Sequence, residues 1–199
     1  MKERNRIQLA SPHYGEEELR AASDVLASGR LVCGPRVKDF EAAVGRRVGV
    51  RRALAMNSGT MAIYAVLHSL RMEFSDEVII PALTFPAAAE CVMLVGAKPV
   101  FVDVSRDSFN LDPRLLGEAL TDRTRAVIVI DQFGVPADYA AIRRELEGRN
   151  VFVLEDSACA LGSSLDGRPC GSLGDASIFS FHPRKVITTG EGGMALTDD

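Results

Sequence analysis

Short, fully apolar runs alternate along this chain with longer stretches whose apolar residues recur at helical spacing. Leu19 to Leu26 and Val37 to Val48 carry helical patterns, separated by Gly34-Pro35. Ala53-Leu54-Ala55-Met56 reads as a short strand ending at Asn57-Ser58-Gly59-Thr60, and Met61 to Leu70 as the helix after it. Val78-Ile79-Ile80 reads as a strand stopped by Pro81, Ala87 to Val95 as a helix, and Pro99 to Val102 as the next strand. The alternation continues with a helix over Pro113 to Leu120, a strand over Ala126 to Ile130, a helix over Tyr139 to Glu147 and a strand over Val151 to Leu154. Repeated β–α alternation with strands apolar on both faces predicts an α/β fold, a mostly parallel sheet covered by helices. Met194-Ala195-Leu196-Thr197 reads as a strand just beginning its sheet contacts. With Asp198-Asp199 after it, the expectation is a chain that stops inside a larger domain.

In open α/β sheets, ligands gather at the carboxyl ends of the strands, so the residues there carry the candidate chemistry. They are Ser58-Gly59-Thr60, Thr84-Phe85, Asp131-Gln132 and Glu155-Asp156. Ser58-Gly59-Thr60 opens a helix, where free N–H groups and two hydroxyls suit a phosphate; simple N-capping by Asn57 or Ser58 is the alternative. Asp156 could pair with a protonated pyridine nitrogen, or cap a helix, or serve a structural ion pair. Strand alternation points only one of Glu155 and Asp156 toward a site. Phe85 could stack on a flat ring or pack in the core. Ser180 could add a hydroxyl to a phosphate site or close a strand end. The apolar run Phe179-Ser180-Phe181 delivers Lys185 into a turn with Thr188, Thr189, Gly190, Gly192 and Gly193. A lysine shielded from water can lose its proton and form a Schiff base with a carbonyl; an ordinary surface lysine beside a Gly-rich turn is the other reading. Together, these residues are the parts needed to hold pyridoxal phosphate, in an order that one site could gather from several strand ends.

Composition removes other classes. The chain has 199 residues, 47% hydrophobic and 25% charged, which is globular rather than disordered. Net charge is −4, and the densest basic cluster, Arg46, Arg47, Arg51 and Arg52, reads as solvated surface rather than a nucleic-acid site. Cys33, Cys91, Cys159 and Cys170 form no CxxC pair, so no metal site is expected. The opening Met-Lys-Glu-Arg-Asn-Arg leads into no apolar signal core, and no apolar stretch is long enough for a bilayer. Free thiols in a reducing cytoplasm are the expectation.

The ordered motifs resemble those of the DegT/DnrJ/EryC1/StrS sugar aminotransferases. Gly34-Pro35-Arg36-Val37-Lys38-Asp39-Phe40-Glu41, Asn57-Ser58-Gly59-Thr60, Pro81-Ala82-Leu83-Thr84-Phe85, Val95 to Val104, Glu155-Asp156-Ser157-Ala158 and Phe179 through Lys185 to Gly193 carry the likeness. The resemblance implies a three-layer sandwich with a mostly parallel mixed sheet, the large domain of the fold-type-I pyridoxal-phosphate enzymes. Residues 1–199 would be its N-terminal segment and most of that domain, without the C-terminal small domain. It implies an aminotransferase that loads an amino group from glutamate or glutamine and delivers it to a keto sugar, nucleotide-linked, in a homodimer. Lys185 would be the Schiff-base lysine and proton carrier, Asp156 the partner of the pyridine nitrogen, and Phe85 the stacking ring. Ser58, Gly59, Thr60 and Ser180 would form the phosphate site.

Three positions depart from the family pattern. Cys159 stands where a Gln beside the cofactor is frequent, Leu161 where a His is frequent, and Asp131 where another His is frequent. Cys159 is then either a nucleophile or a spectator thiol. A sugar dehydratase of the same fold, which resembles this family but carries His for the lysine, and a non-catalytic cofactor-binding fragment are the alternatives.

Overall fold

The computed structural model describes residues 10–199; the opening hexapeptide lies outside them. The helices are α1 (Glu16–Ser28), α2 (Pro35–Val48), α3 (Gly59–Ser69), α4 (Ala87–Leu94), α5 (Leu116–Ala119) and α6 (Tyr139–Glu145). The strands are β1 (Arg52–Met56), β2 (Glu77–Pro81), β3 (Lys98–Val102), β4 (Thr124–Ile130), β5 (Phe152–Asp156), β6 (Ser164–Leu165), β7 (Arg168–Pro169), β8 (Ala176–Ser180) and β9 (Gly193–Thr197). Seven of them make one mixed sheet in the order β1-β9-β8-β5-β4-β2-β3. Parallel pairing joins β3, β2, β4, β5 and β8, whereas β9 runs antiparallel to both β8 and β1. The sheet is therefore mostly parallel, as the apolar strands predict.

Strand alternation builds two cores from one sheet. Val78, Ile80, Ala126, Ile128, Leu154, Ala176 and Ile178 pack toward Ala62, Ile63, Val66 and Leu67 of α3 and Ala88, Cys91 and Val92 of α4. Their neighbours Ile79, Val127, Val129 and Val153 face the opposite way, onto Leu116 of α5 and Ile142 of α6. Beside that second layer, Val44 and Val48, one turn apart on α2, cover Phe179, Phe181, Met194 and Leu196. Helix, sheet and helix give the three expected layers.

Some expectations need correction. The Gly193–Thr197 strand is not at the beginning of its sheet contacts. It lies between β1 and β8 and is paired along its full length on both sides. The helix expected over Pro113 to Leu120 is a 3-10 turn at Pro113–Leu115 followed by one short α-turn, with Leu120 already extended. Pro113 and the Asp112 side chain, which accepts from the Arg114 amide, shape that tight start. The β6–β7 hairpin has strands too short for any periodicity to show. Its turn residues Asp166 (φ 50°) and Gly167 (φ 80°) are the Asp-Gly pair that such a turn favours. Among the described residues, helix α1 buries none of its side chains and leaves Leu19 and Leu26 exposed. Among the described residues, no helix is long and apolar enough to cross a membrane.

Candidate active site

Because β1, β2, β4, β5 and β8 run the same way, their carboxyl ends share one edge of the sheet. Ser58, Phe85, Asp131, Asp156 and Ser180 lie at or just beyond those ends. The antiparallel β9 enters the sheet at this edge, with Gly193 opposite both Met56 and Ser180. A side chain at Gly193 would collide with the Ser58 carbonyl, so this glycine lets the loop that carries Lys185 return tightly over the start of α3.

The start of α3 has the form of an anion site. Ser58 is extended and caps the helix, its Oγ accepting from the Met61 amide at 3.2 Å. N-capping, one of the two readings for Ser58, is thus realised. A Cβ built on Gly59 would lie 2.9 Å from the Ser180 Cβ. The helix start and the end of β8 are therefore in direct contact, and Ser180 joins Gly59 and Thr60 at one place.

The alternation of β5 separates its two carboxylates. Asp156 shares the side of Leu154, toward α3 and α4, and Glu155 faces the other layer. Asp156 is buried, yet among the described residues its carboxylate accepts only from the Ala158 amide, at 3.0 Å, and forms no ion pair. Burial raises its pKa to about 6, opposed by the Ala158 hydrogen bond and the charge of Lys185. A buried carboxylate short of a cationic partner fits a protonated ring nitrogen.

Lys185 sits in the loop between β8 and β9, half-buried, with its amide donating to the His182 carbonyl at 2.8 Å. Its Nζ reaches the Sγ of Cys159 at 3.2 Å. Cys159 is half-buried and touches the lysine, so it is not a buried spectator. Phe85 is 75% exposed, which excludes core packing among the described residues. Its loop is tied to the end of β4 by Gln132, whose Nε2 donates to the Leu83 carbonyl at 3.5 Å while its own amide donates to Asn110 Oδ1 at 2.9 Å. Leu161 is half-buried and packs with the α2-side cluster.

Sequence reasoning missed the support beneath Asp156. Glu155 is fully buried and accepts from the amides of Gly171, Leu173 (2.6 Å) and Gly174 (3.0 Å). Ser157 Oγ lies 2.6 Å from both Glu155 Oε1 and Asp131 Oδ2. Asp131 Oδ1 accepts from the Ala137 amide at 3.1 Å and Tyr139 hydroxyl at 3.2 Å. One hydroxyl holds one proton, so it can donate to only one of the two carboxylates. Glu155 already accepts from three amides, so Asp131 is the partner that can carry a proton; its carboxyl would then donate to Ser157, which would donate to Glu155. Burial, followed by the Glu155 charge, raises Asp131 to about 7, in agreement with that arrangement. Every carboxylate oxygen in the pair already has a partner, so the nearby Cys170 thiol does not complete a metal cradle. The available signal was strand alternation: if Asp156 faces the site, Glu155 faces the interior and needs donors.

A family model described as the DegT/DnrJ/EryC1/StrS aminotransferase family matches residues 12–199. The chain belongs to this family. It is 39% identical over 193 residues to the spore coat polysaccharide biosynthesis protein SpsC of Bacillus subtilis, covering 97% of this chain and 50% of that protein. Among solved structures, the aminotransferase TlmJ from Streptoalloteichus hindustanus matches with TM-score 0.93 and 39% identity, covering 98% of this chain and 54% of its own. GDP-4-keto-6-deoxymannose-3-dehydratase with a trapped PLP-glutamate geminal diamine matches with TM-score 0.93 and 30% identity, covering 98% of this chain and 52% of its own. The fold is thus that of the family's aminotransferases and of a related dehydratase. This family member spans about half the length of these relatives.

Proposed function

We propose that this chain carries the cofactor-binding core of a pyridoxal-phosphate-dependent aminotransferase that moves an amino group from an amino acid to a keto sugar. The observation that carries the reading is the convergence of Lys185, the under-partnered Asp156 and the Ser180-braced start of α3 on one sheet edge. When bound, pyridoxal phosphate supplies an electrophilic carbonyl and a conjugated ring that acts as an electron sink. The residues present fit that group.

In this reading, Asp156 would accept a hydrogen bond from the ring nitrogen and favour its protonated form. Phe85 would offer its exposed ring for stacking. Gly59, Thr60 and Ser180 receive the phosphate, and Ser58 keeps the helix start open while capping it. Lys185 Nζ would hold the cofactor through its carbonyl and, as a free amine, would serve as the general acid–base at this edge of the sheet. That work needs the neutral amine at the moment of proton removal. The Asp131–Ser157–Glu155 chain holds the end of β5 from below.

Glutamate or glutamine is the assigned donor and a nucleotide-linked keto sugar the assigned acceptor. The polysaccharide-biosynthesis description of SpsC and the GDP-sugar and PLP-glutamate chemistry of the dehydratase support that choice. The dehydratase likeness makes dehydration the second reading; a lysine at position 185 favours transamination. A homodimer is the assigned assembly, supported by the uncovered apolar residues of α1. Free cysteines support a cytoplasmic setting.

The test is visible absorbance of the purified protein with pyridoxal phosphate, then borohydride reduction and peptide mass mapping. The expected result is a cofactor adduct on Lys185, its loss in Lys185→Ala, and donor-dependent amination of a keto-sugar nucleotide. An adduct on another residue, or none, would sink the reading. Turnover surviving in Lys185→Ala would remove the assigned role of the lysine.

A further inference from the structure

Two reactive side chains meet at the candidate site, the Cys159 thiol and the Lys185 amine, with Sγ and Nζ 3.2 Å apart. Both backbones are pinned. The Cys159 turn is held by the Ser157 amide donating to Ile178 at 3.0 Å and the Ala160 amide donating to Ser157 at 2.9 Å. Gly134 lies against it so closely that an added Cβ would come within 3.0 Å of the Cys159 carbonyl. On the other side, Thr188 Oγ1 and the Thr189 amide both donate to the Phe181 carbonyl, at 2.8 and 3.1 Å, fixing the loop that presents Lys185. The pair is therefore built by two braced turns, and the flexible lysine stem supplies the remaining approach.

The other thiols lack this setting. Cys91 is buried, donates to the Thr60 carbonyl at 3.3 Å, and is pushed up to about 11 chiefly by burial. Cys170 is buried and also pushed up, again chiefly by burial. Buried, protonated thiols react slowly with oxidants. Cys33 is exposed. Cys159 combines partial access with an amine nucleophile already in contact.

We propose that Cys159 and Lys185 form an oxidative modification site, at which a peroxide joins them through a reversible sulfur–nitrogen bond. The thiol sulfur attacks one peroxide oxygen; the O–O bond breaks, an S–O bond forms, and water leaves. Lys185 Nζ then attacks the sulfenyl sulfur; the S–N bond forms, the S–O bond breaks, and a second water carries away the hydroxyl and an amine proton. Sulfur is oxidised by two electrons and the peroxide is reduced. The cross-linked chain has lost two hydrogen atoms, and a dithiol returns the free thiol and amine. The bond occupies the same Nζ that holds the cofactor carbon in the proposed function, so its functional consequence, although not its formation, rests on that reading. Cross-linking therefore excludes cofactor attachment, and attached cofactor protects the pair.

The intact protein carrying Cys33→Ser, to remove the exposed thiol, is treated with hydrogen peroxide and digested for mass spectrometry. The expected product is a Cys159–Lys185 peptide pair two hydrogens lighter than its parts, reversed by dithiothreitol and suppressed by prior pyridoxal phosphate. Cys159→Ser abolishes it. Lys185→Arg leaves the sulfenic acid open to dimedone, which then labels Cys159 more strongly than in the parent. Over-oxidation of Cys159 with no link to Lys185, or dimedone labelling equal in both proteins, overturns the proposal. The borohydride experiment separates the two readings: an adduct on Lys185 without the cross-link keeps the cofactor assignment alone, and a cross-link without an adduct keeps the oxidation site alone.

Discussion

At the residue scale, the proposed site depends on a carboxylate short of protein partners among the described residues. Asp156 is buried, accepts from the Ala158 amide alone among the described residues, and has its folded-state pKa raised to about 6, chiefly by burial. A bound pyridinium would supply the missing opposite charge and reverse that shift. Asp156→Asn removes a charge-assisted hydrogen bond, worth about 1.5–3 kcal/mol. Pyridoxal-phosphate affinity, read by absorbance titration, is expected to fall by roughly ten- to a hundred-fold; unchanged affinity would separate Asp156 from the ring nitrogen. Gly59→Ala tests the contact between α3 and β8. Its Cβ would meet the Ser180 Cβ, which lies next to the backbone and has little freedom to retreat. Overpacking of this kind costs about 1–3 kcal/mol, read as a lowered unfolding midpoint. Cofactor affinity should fall with it, because the displaced Ser180 belongs to the proposed phosphate site. These residues were legible in the sequence because each lies just after a strand and carries a distinctive group. The Cys159–Lys185 contact was not legible, since 26 positions separate two residues brought together by different turns.

At the element scale, the end of β5 is a strand with opposite chemistries on its two faces. Asp156 faces the site, whereas Glu155 anchors the Gly171–Gly174 turn and shares a proton chain with Ser157 and Asp131. The folded state holds the Asp131 proton more tightly than the unfolded chain does. Stability from this group is thus fully present below the unfolded pKa near 4 and is lost as pH rises through about 7. The buried Asp156 of the cofactor-free protein acts in the same direction, through about 6. Denaturant unfolding should therefore show stability decreasing between roughly pH 4 and 7 from these two groups. Asp131→Asn keeps a donor toward Ser157 and an acceptor for Ala137 and Tyr139, without the charge. The variant is expected to show a flatter profile and greater stability than the parent at pH 8. An equally steep profile would show that Asp131 is not the proton holder. Alternation made the opposed directions of Glu155 and Asp156 readable; Asp131's part was not, because it arrives from a parallel neighbour strand.

At the scale of the whole molecule, β9 is the strand on which closure of the sheet depends. Its residues pair with β1, some 140 positions earlier, and with β8. Ala195→Pro removes a backbone donor from a strand bonded on both sides, where proline is not tolerated. Loss of cooperative unfolding is expected by calorimetry or circular dichroism; a normal transition would show β9 to be peripheral. Apolar runs and helical periodicity by themselves determined the β–α order, the mostly parallel sheet and the strand-end positions of the proposed site residues, because these follow from local patterning and one shared strand direction. Only the tertiary structure decided that Gly193–Thr197 inserts between β1 and β8, that Ser157 bridges Asp131 and Glu155, and that Cys159 meets Lys185. Pairing order, buried protonation and side-chain contact depend on which distant segments become neighbours, and local pattern carries no record of that.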